Sequence, residues 1–283
     1  MSRFASVVGE HWPGYDGLKR LFIFGDSYSA VGYDPGWPAP SESEPLGIPF
    51  PGQTWTEGDI NSMGDSTNAN WVGHLVSFRR KDGKSLLVYD YAVGGHTIIG
   101  MKSQVQKWFL PHAGKRPSWA PWDSKDSLFI TWVGINDCAY SRRHEENIKN
   151  LFALEDELYE IGARNFLLID VPPMHLSPAY RKLDGLPNAE NSSPFVWNEE
   201  LHKGAKAFYE KHPDISFLMY SSWDIFNKVH ENLGAFGFTK SDVKKPGGSI
   251  WMDHLHPTSR MHAIIGDDLD EFLKKFQTNP QQE

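Results

Sequence analysis

The run Leu21-Phe22-Ile23-Phe24 is apolar at every position, and Gly25-Asp26-Ser27 follows it directly. An unbroken apolar run of this length, ended by glycine, predicts a strand buried on both faces. The pattern recurs along the chain. Leu86 to Val93 is closed by Gly94-Gly95, Leu128 to Val133 by Gly134, and Asn165 to Val171 by Pro172-Pro173, while Ile215 to Tyr220 makes a fifth run. Between these runs the apolar residues move to helical spacing. Trp71, Leu75, Val76 and Phe78 predict a helix to about Arg80, and Ile148, Leu151, Phe152, Leu154, Leu158 and Ile161 mark one face of a helix over 147–162. Further helices are predicted over 97–109, 195–212 and 258–276.

Such strands, alternating with amphipathic helices, require a parallel sheet covered on both faces. The expected fold class is α/β, a three-layer α/β/α sandwich around a central five-stranded parallel sheet. No internal repeat or clean linker divides the chain, so residues 1–283 are read as one domain. Two stretches break the alternation. Residues 1–19 read as an irregular lead-in, with a turn at Trp12-Pro13-Gly14. Residues 32–70, rich in Gly, Pro, Ser and Trp, are long for a simple connection. They either build a binding surface or form a surface excursion packed by its own aromatics.

Composition removes several classes of partner. A formal charge of −8 argues against nucleic acid and anionic membranes, both of which reward clustered Lys and Arg. No apolar run approaches the length of a membrane span. The single cysteine, Cys138, rules out an internal disulfide and any multi-cysteine zinc site. Residues 1–10 lack the apolar core of a secretory signal, so the chain as written reads as cytoplasmic. A secreted protein already trimmed is the alternative, and the oligomeric state stays open.

In parallel sheets ligands bind beyond the carboxyl ends of the strands, which is where the unusual polar residues fall. Ser27 follows the first strand at a point where a helix could begin, its hydroxyl beside free backbone N–H groups. Near the other end of the chain stands Asp253-His254-Leu255-His256-Pro257-Thr258. Pro257 suits a first helical position and would set His256 at a helix entrance. Asp253 could accept the Nδ1–H of that ring and leave Nε2 as a base for the Ser27 hydroxyl. A tetrahedral oxyanion also needs donors; the N–H groups of Ser27 and Gly95 and the amide of Asn136 are the candidates. A metal site built from Asp253, His254 and His256, with Asp137 or Asp26, is a competing reading that leaves Ser27 without a role. A sugar- or anion-binding module using the same cleft is another.

Gly25-Asp26-Ser27, Gly95, Gly134-x-Asn136-Asp137 and Asp253-x-x-His256 stand in the order of the four blocks of the SGNH (GDSL) hydrolases, which this chain resembles over residues 21–262. Asn70-Trp71-Val72, Tyr91-Ala92-Val93-Gly94-Gly95, Val171-Pro172-Pro173, Trp197-Asn198 and His256-Pro257-Thr258 look like the fungal acetylesterases of carbohydrate esterase family 16. The resemblance implies a flavodoxin-like sandwich, no cofactor and no metal, and removal of acetyl groups from short acetylated sugars such as xylo-oligosaccharides. It implies Ser27 as nucleophile, Asp253 and His256 as its partners, and Ser27, Gly95 and Asn136 as the oxyanion hole. Tyr28, standing where the family's name has Leu, and Trp55, in the long loop, are the residues expected to touch substrate.

Overall fold

All five apolar runs become strands of one parallel sheet in the computed structural model, which describes residues 3–57, 68–81, 83, 85–179 and 192–277. They are β1 (Arg20–Gly25), β2 (Leu87–Asp90), β3 (Ser127–Trp132), β4 (Asn165–Ile169) and β5 (Ser216–Tyr220). Their order across the sheet is β2-β1-β3-β4-β5. The chain therefore winds outward from β1 in one direction, then returns and winds in the other. The crevice between β1 and β3 is the switch point where α/β folds of this order hold their ligands.

Register explains why the apolar runs pair as they do. Tyr89, Phe22, Phe129, Phe166 and Phe217 occupy matching positions on the five strands. Their rings form one aromatic row across the whole sheet. Phe22 stacks on Tyr89 at 5.0 Å and on Phe129 at 4.9 Å. Each such pair adds about 0.5–1.5 kcal/mol beyond its buried area, and a one-residue slip would send every ring to the other face.

Seven helices cover the sheet among the described residues. On the face of the aromatic row lie α2 (Ile98–Ser103), α3 (Ile135–Tyr140), α4 (His144–Glu160) and α5 (Ser193–Lys211). Phe152 of α4 and Phe208 of α5 both reach the row at Phe217. The other layer pairs α1 (Trp71–Lys81) with α7 (Ser259–Lys274), and α6 (Ser222–Glu231) rests against α7. No described helix is long and apolar enough to cross a membrane.

The elements depart from expectation in three places. The helix expected over 97–109 is α-helical only to Ser103 and continues as a π-helical turn, Gln104–Phe109. The lead-in does structural service: Val7 exchanges backbone hydrogen bonds with Phe217 at 3.0 and 2.8 Å, and Ser6 Oγ accepts from Met219 N. It covers the free edge of β5, which would otherwise invite pairing with another chain. Finally, α3 and α6 are helices that the sequence reading left unassigned.

Candidate active site

Ser27 sits just past β1, at the switch point of the sheet. The Asp26 carbonyl accepts from Ser29 N at 3.1 Å and Ala30 N at 3.0 Å, and Asp26 Oδ1 accepts from Tyr28 N at 3.1 Å. These bonds close one tight turn. The expected helix does not begin here, so no helix dipole acts on Ser27; the turn's own N–H groups provide the local positive field. Asn70 fastens the turn from the far end of the long excursion. Its amide donates to the carbonyls of Ser29 at 2.8 Å and Ala30 at 3.0 Å, while its Oδ1 receives Val72 N at the start of α1.

His256 arrives on a loop closed by a bridge between Trp251 and Pro257, with Met252 N donating to the His256 carbonyl at 2.8 Å. Thr258, not Pro257, caps α7, which starts at Ser259. A hairpin, rather than a helix entrance, therefore aims the imidazole. Asp253 Oδ1 accepts from the backbone N–H groups of Leu255 and His256, each at 2.7 Å, and Oδ2 lies 2.7 Å from His256 Nδ1. Burial pushes the Asp253 carboxyl up, but the bonds from the His256 ring, its backbone and Leu255 N together outweigh that and hold it at about 2. An ionised carboxylate only accepts, so Nδ1 carries the proton and the Nε2 lone pair faces outward. Ser27 Oγ lies 2.8 Å from Nε2.

The third segment is the loop after β2. Gly95 has φ +79°, and a Cβ there would meet nothing within 4 Å. The backbone conformation, rather than crowding, calls for glycine. At Gly94 the reason is the opposite, since a Cβ would come within 2.9 Å of the Trp55 indole. Asn136, 8% exposed, donates its amide to the His96 carbonyl at 2.9 Å and so ties the end of β3 to the Gly95 loop. Asp137 reinforces the tie by accepting from Ile98 N and from Asn147 Nδ2. Among the described residues, neither Ser27 N–H nor Gly95 N–H has an acceptor. Both are free to meet a developing negative charge.

The chain matches the family described as GDSL-like lipase/acylhydrolase over residues 21–269. It belongs to that family. Among curated proteins it is 30% identical to an acetylesterase of Thermothelomyces thermophilus over 281 residues, covering 90% of this chain and 88% of the relative. A GDSL esterase/lipase of Arabidopsis thaliana is 26% identical, covering 79% and 71%. Among solved structures, a variant of Axe2, an acetyl xylan esterase from Geobacillus stearothermophilus, superimposes with a TM-score of 0.54 at 15% identity, covering 93% of this chain and 96% of that one. Another Axe2 variant, described as an acetyl-xylooligosaccharide esterase, gives 0.56 at 15% identity and covers 97% and 98%. The structural likeness carries the shared sandwich fold.

Of the residues singled out in the sequence of this acylhydrolase, Ser27, His256 and Asp253 come together, and Gly95 and Asn136 are joined through His96. Trp55 also reaches the site: its indole stacks on the His256 ring at 5.0 Å and 28°. Tyr28 does not. Contrary to the expectation that it touches substrate, it is 1% exposed, packs edge-on against Trp132, and donates its hydroxyl to the Leu255 carbonyl at 2.6 Å. The turn points residue 27 outward, so its neighbour necessarily points into the core. The metal reading finds no support in the donor geometry: among the described residues no three His, Cys, Asp or Glu side chains are grouped to hold an ion. Cys138 is buried, which pushes its thiol up and leaves it without thiolate character.

One residue the sequence reading passed over links two parts of the site. Gln104, fully buried in the π-helical turn, accepts from Gly25 N at 2.9 Å and donates to Gly25 O at 2.7 Å. Its amide also lies 2.9 Å from His96 Nδ1. It thus braces the approach to the Ser27 turn against the Gly95 loop. A polar residue in the middle of an apolar helical pattern is the only sequence signal it offers, and π turns recur at functional sites.

Proposed function

We propose that this acylhydrolase is a serine esterase that removes acetyl groups from short acetylated carbohydrates. The single observation that carries the mechanism is the line from Asp253 Oδ2 through the His256 ring to Ser27 Oγ, with contacts of 2.7 and 2.8 Å. His256 Nε2 takes the hydroxyl proton as Ser27 Oγ attacks the ester carbonyl carbon. The oxyanion that forms is received by the N–H groups of Ser27 and Gly95 and by the Asn136 amide. Collapse breaks the ester C–O bond, and His256 returns the proton to the departing sugar hydroxyl. Water then attacks the acetyl-serine carbonyl, giving a proton to His256; collapse breaks the acyl C–Oγ bond, His256 returns that proton to Ser27 Oγ, and acetic acid departs as acetate. Asp253 stays ionised throughout and steadies the imidazolium.

Acetyl as the acyl group, and a sugar as the alcohol, rest on similarity to the fungal acetylesterase and on the names of the structural neighbours. The test is acetate release from acetylated xylo-oligosaccharides, run beside p-nitrophenyl esters of graded chain length. Ser27→Ala should abolish turnover of all of them, and wild-type kcat/KM should fall steeply beyond acetate. Turnover surviving in Ser27→Ala would remove the serine mechanism. A flat chain-length profile would favour a broader short-chain esterase.

A further inference from the structure

Beside the triad lies a cavity of about 750 Å³, within the size range of ligand pockets and far larger than an acetyl group fills. Its lining includes Trp55, which stacks on His256, and Gly94, the neighbour of Gly95. Trp108 and the solvent-exposed Trp37 also line it. Six of the chain's 11 tryptophans are fully buried in the core, yet three of the remaining five line this one cavity. Trp37 is 49% exposed, on a turn closed by Trp37 N donating to the Asp34 carbonyl. A large indole left exposed in the lining of a cavity is a surface waiting for a flat apolar partner.

The rest of the lining says what that partner is. Asp34, Gln53 and His112 add polar groups to the lining, which among the described residues contains no Lys or Arg. A long acyl chain would gain nothing from those polar groups, and an anionic ligand would find no cation. A neutral pyranose chain suits both components: its C–H faces lie on indoles, and its hydroxyls bond to carboxylate, amide and imidazole.

We propose that this cavity is a saccharide-binding subsite, which holds the pyranose units next to the acetylated one with Trp37 as the outer platform. The preferred substrate is then a neutral oligosaccharide rather than an acetylated monosaccharide. This rests on the esterase reading above, and it extends that reading to the part of the substrate that does not react.

The test uses unacetylated sugars as inhibitors of p-nitrophenyl acetate hydrolysis by the full chain. Xylotriose should inhibit about tenfold more tightly than xylose, and Trp37→Ala should raise the xylotriose inhibition constant about tenfold. Trp37→Phe should recover most of that loss, because an aromatic face remains. The readout is an inhibition constant, so a change in the variant's own turnover does not obscure it. Equal inhibition by xylose and xylotriose would overturn the proposal, as would a Trp37→Ala variant that xylotriose inhibits as well as wild type. A preference for p-nitrophenyl octanoate over acetate, lost in Trp37→Ala, would assign the cavity to acyl chains instead. Xylotriose binding to Ser27→Ala, followed by indole fluorescence, reports on the cavity even if the serine mechanism fails.

Discussion

The Tyr28 hydroxyl donates to the Leu255 carbonyl at 2.6 Å, so the residue after Ser27 is bonded to the residue before His256. The link ties the turn at the end of β1 to the hairpin ahead of α7. It sets how far apart Ser27 and His256 sit, without touching either reacting atom.

Tyr28→Phe removes that hydrogen bond and keeps the ring. We expect kcat on p-nitrophenyl acetate to fall about tenfold while KM stays within about twofold, since positioning rather than binding is lost. Stability in denaturant titration should drop by about 1 kcal/mol. A raised KM at unchanged kcat would instead return Tyr28 to the substrate.

Asn136→Ala tests the oxyanion assignment. Removing one such donor lowers kcat by about two to three orders of magnitude with little effect on ground-state binding. Steady-state kinetics on p-nitrophenyl acetate separates the two constants. A loss confined to KM would leave the Asn136 amide with only its bond to the His96 carbonyl.

Glu155 gives a pH dependence of stability that is independent of the active site. It is fully buried on α4; Thr131 Oγ1 donates to its Oε1 at 2.8 Å, and its Oε2 has no partner among the described residues. Burial pushes its carboxyl up to about 7, against the Thr131 bond and with a small push from Asp156. The folded state therefore holds this proton more tightly than the unfolded chain does. Stability falls as pH rises from about 4.5 toward 7 and levels off above that. Glu155→Gln removes the titration, so the variant should exceed wild type at pH 8 by on the order of 2 kcal/mol and show no advantage at pH 4.5. Thermal melts across that range read the difference as a shift of several degrees. His262 works in the other direction: burial lowers it to about 3, so its contribution is lost as pH falls, in wild type and variant alike.

The strands were legible because a strand buried on both faces has nowhere to put a polar side chain, and Leu21-Phe22-Ile23-Phe24 shows this at every position. Ser27, two residues past Gly25, and His256, directly before Pro257, were legible for a related reason, since each stands by a residue that punctuates the pattern, and Asp253 followed from its place three residues before His256. What stayed hidden depends on tertiary placement. Nothing local tells that Tyr28 turns inward while Ser27 turns outward, or that Trp55, far along an irregular stretch, lies flat on His256. The edge-covering role of Val7 involves a single bridge and leaves no periodic trace. The helix α6 is a different case: Ser221 caps it, and Ile225, Phe226 and Val229 give it an apolar face, so its signal was present.

Ser27 and His256 are 229 positions apart in the chain. On the ribosome, Ser27 emerges long before His256 exists, and no shorter segment contains both. On the proposed mechanism, a nascent or truncated polypeptide ending before the hairpin is chemically silent toward esters, however well its sheet has formed. Under that mechanism, ester turnover counts only molecules in which these two distant segments have met, making it a direct census of completed folding.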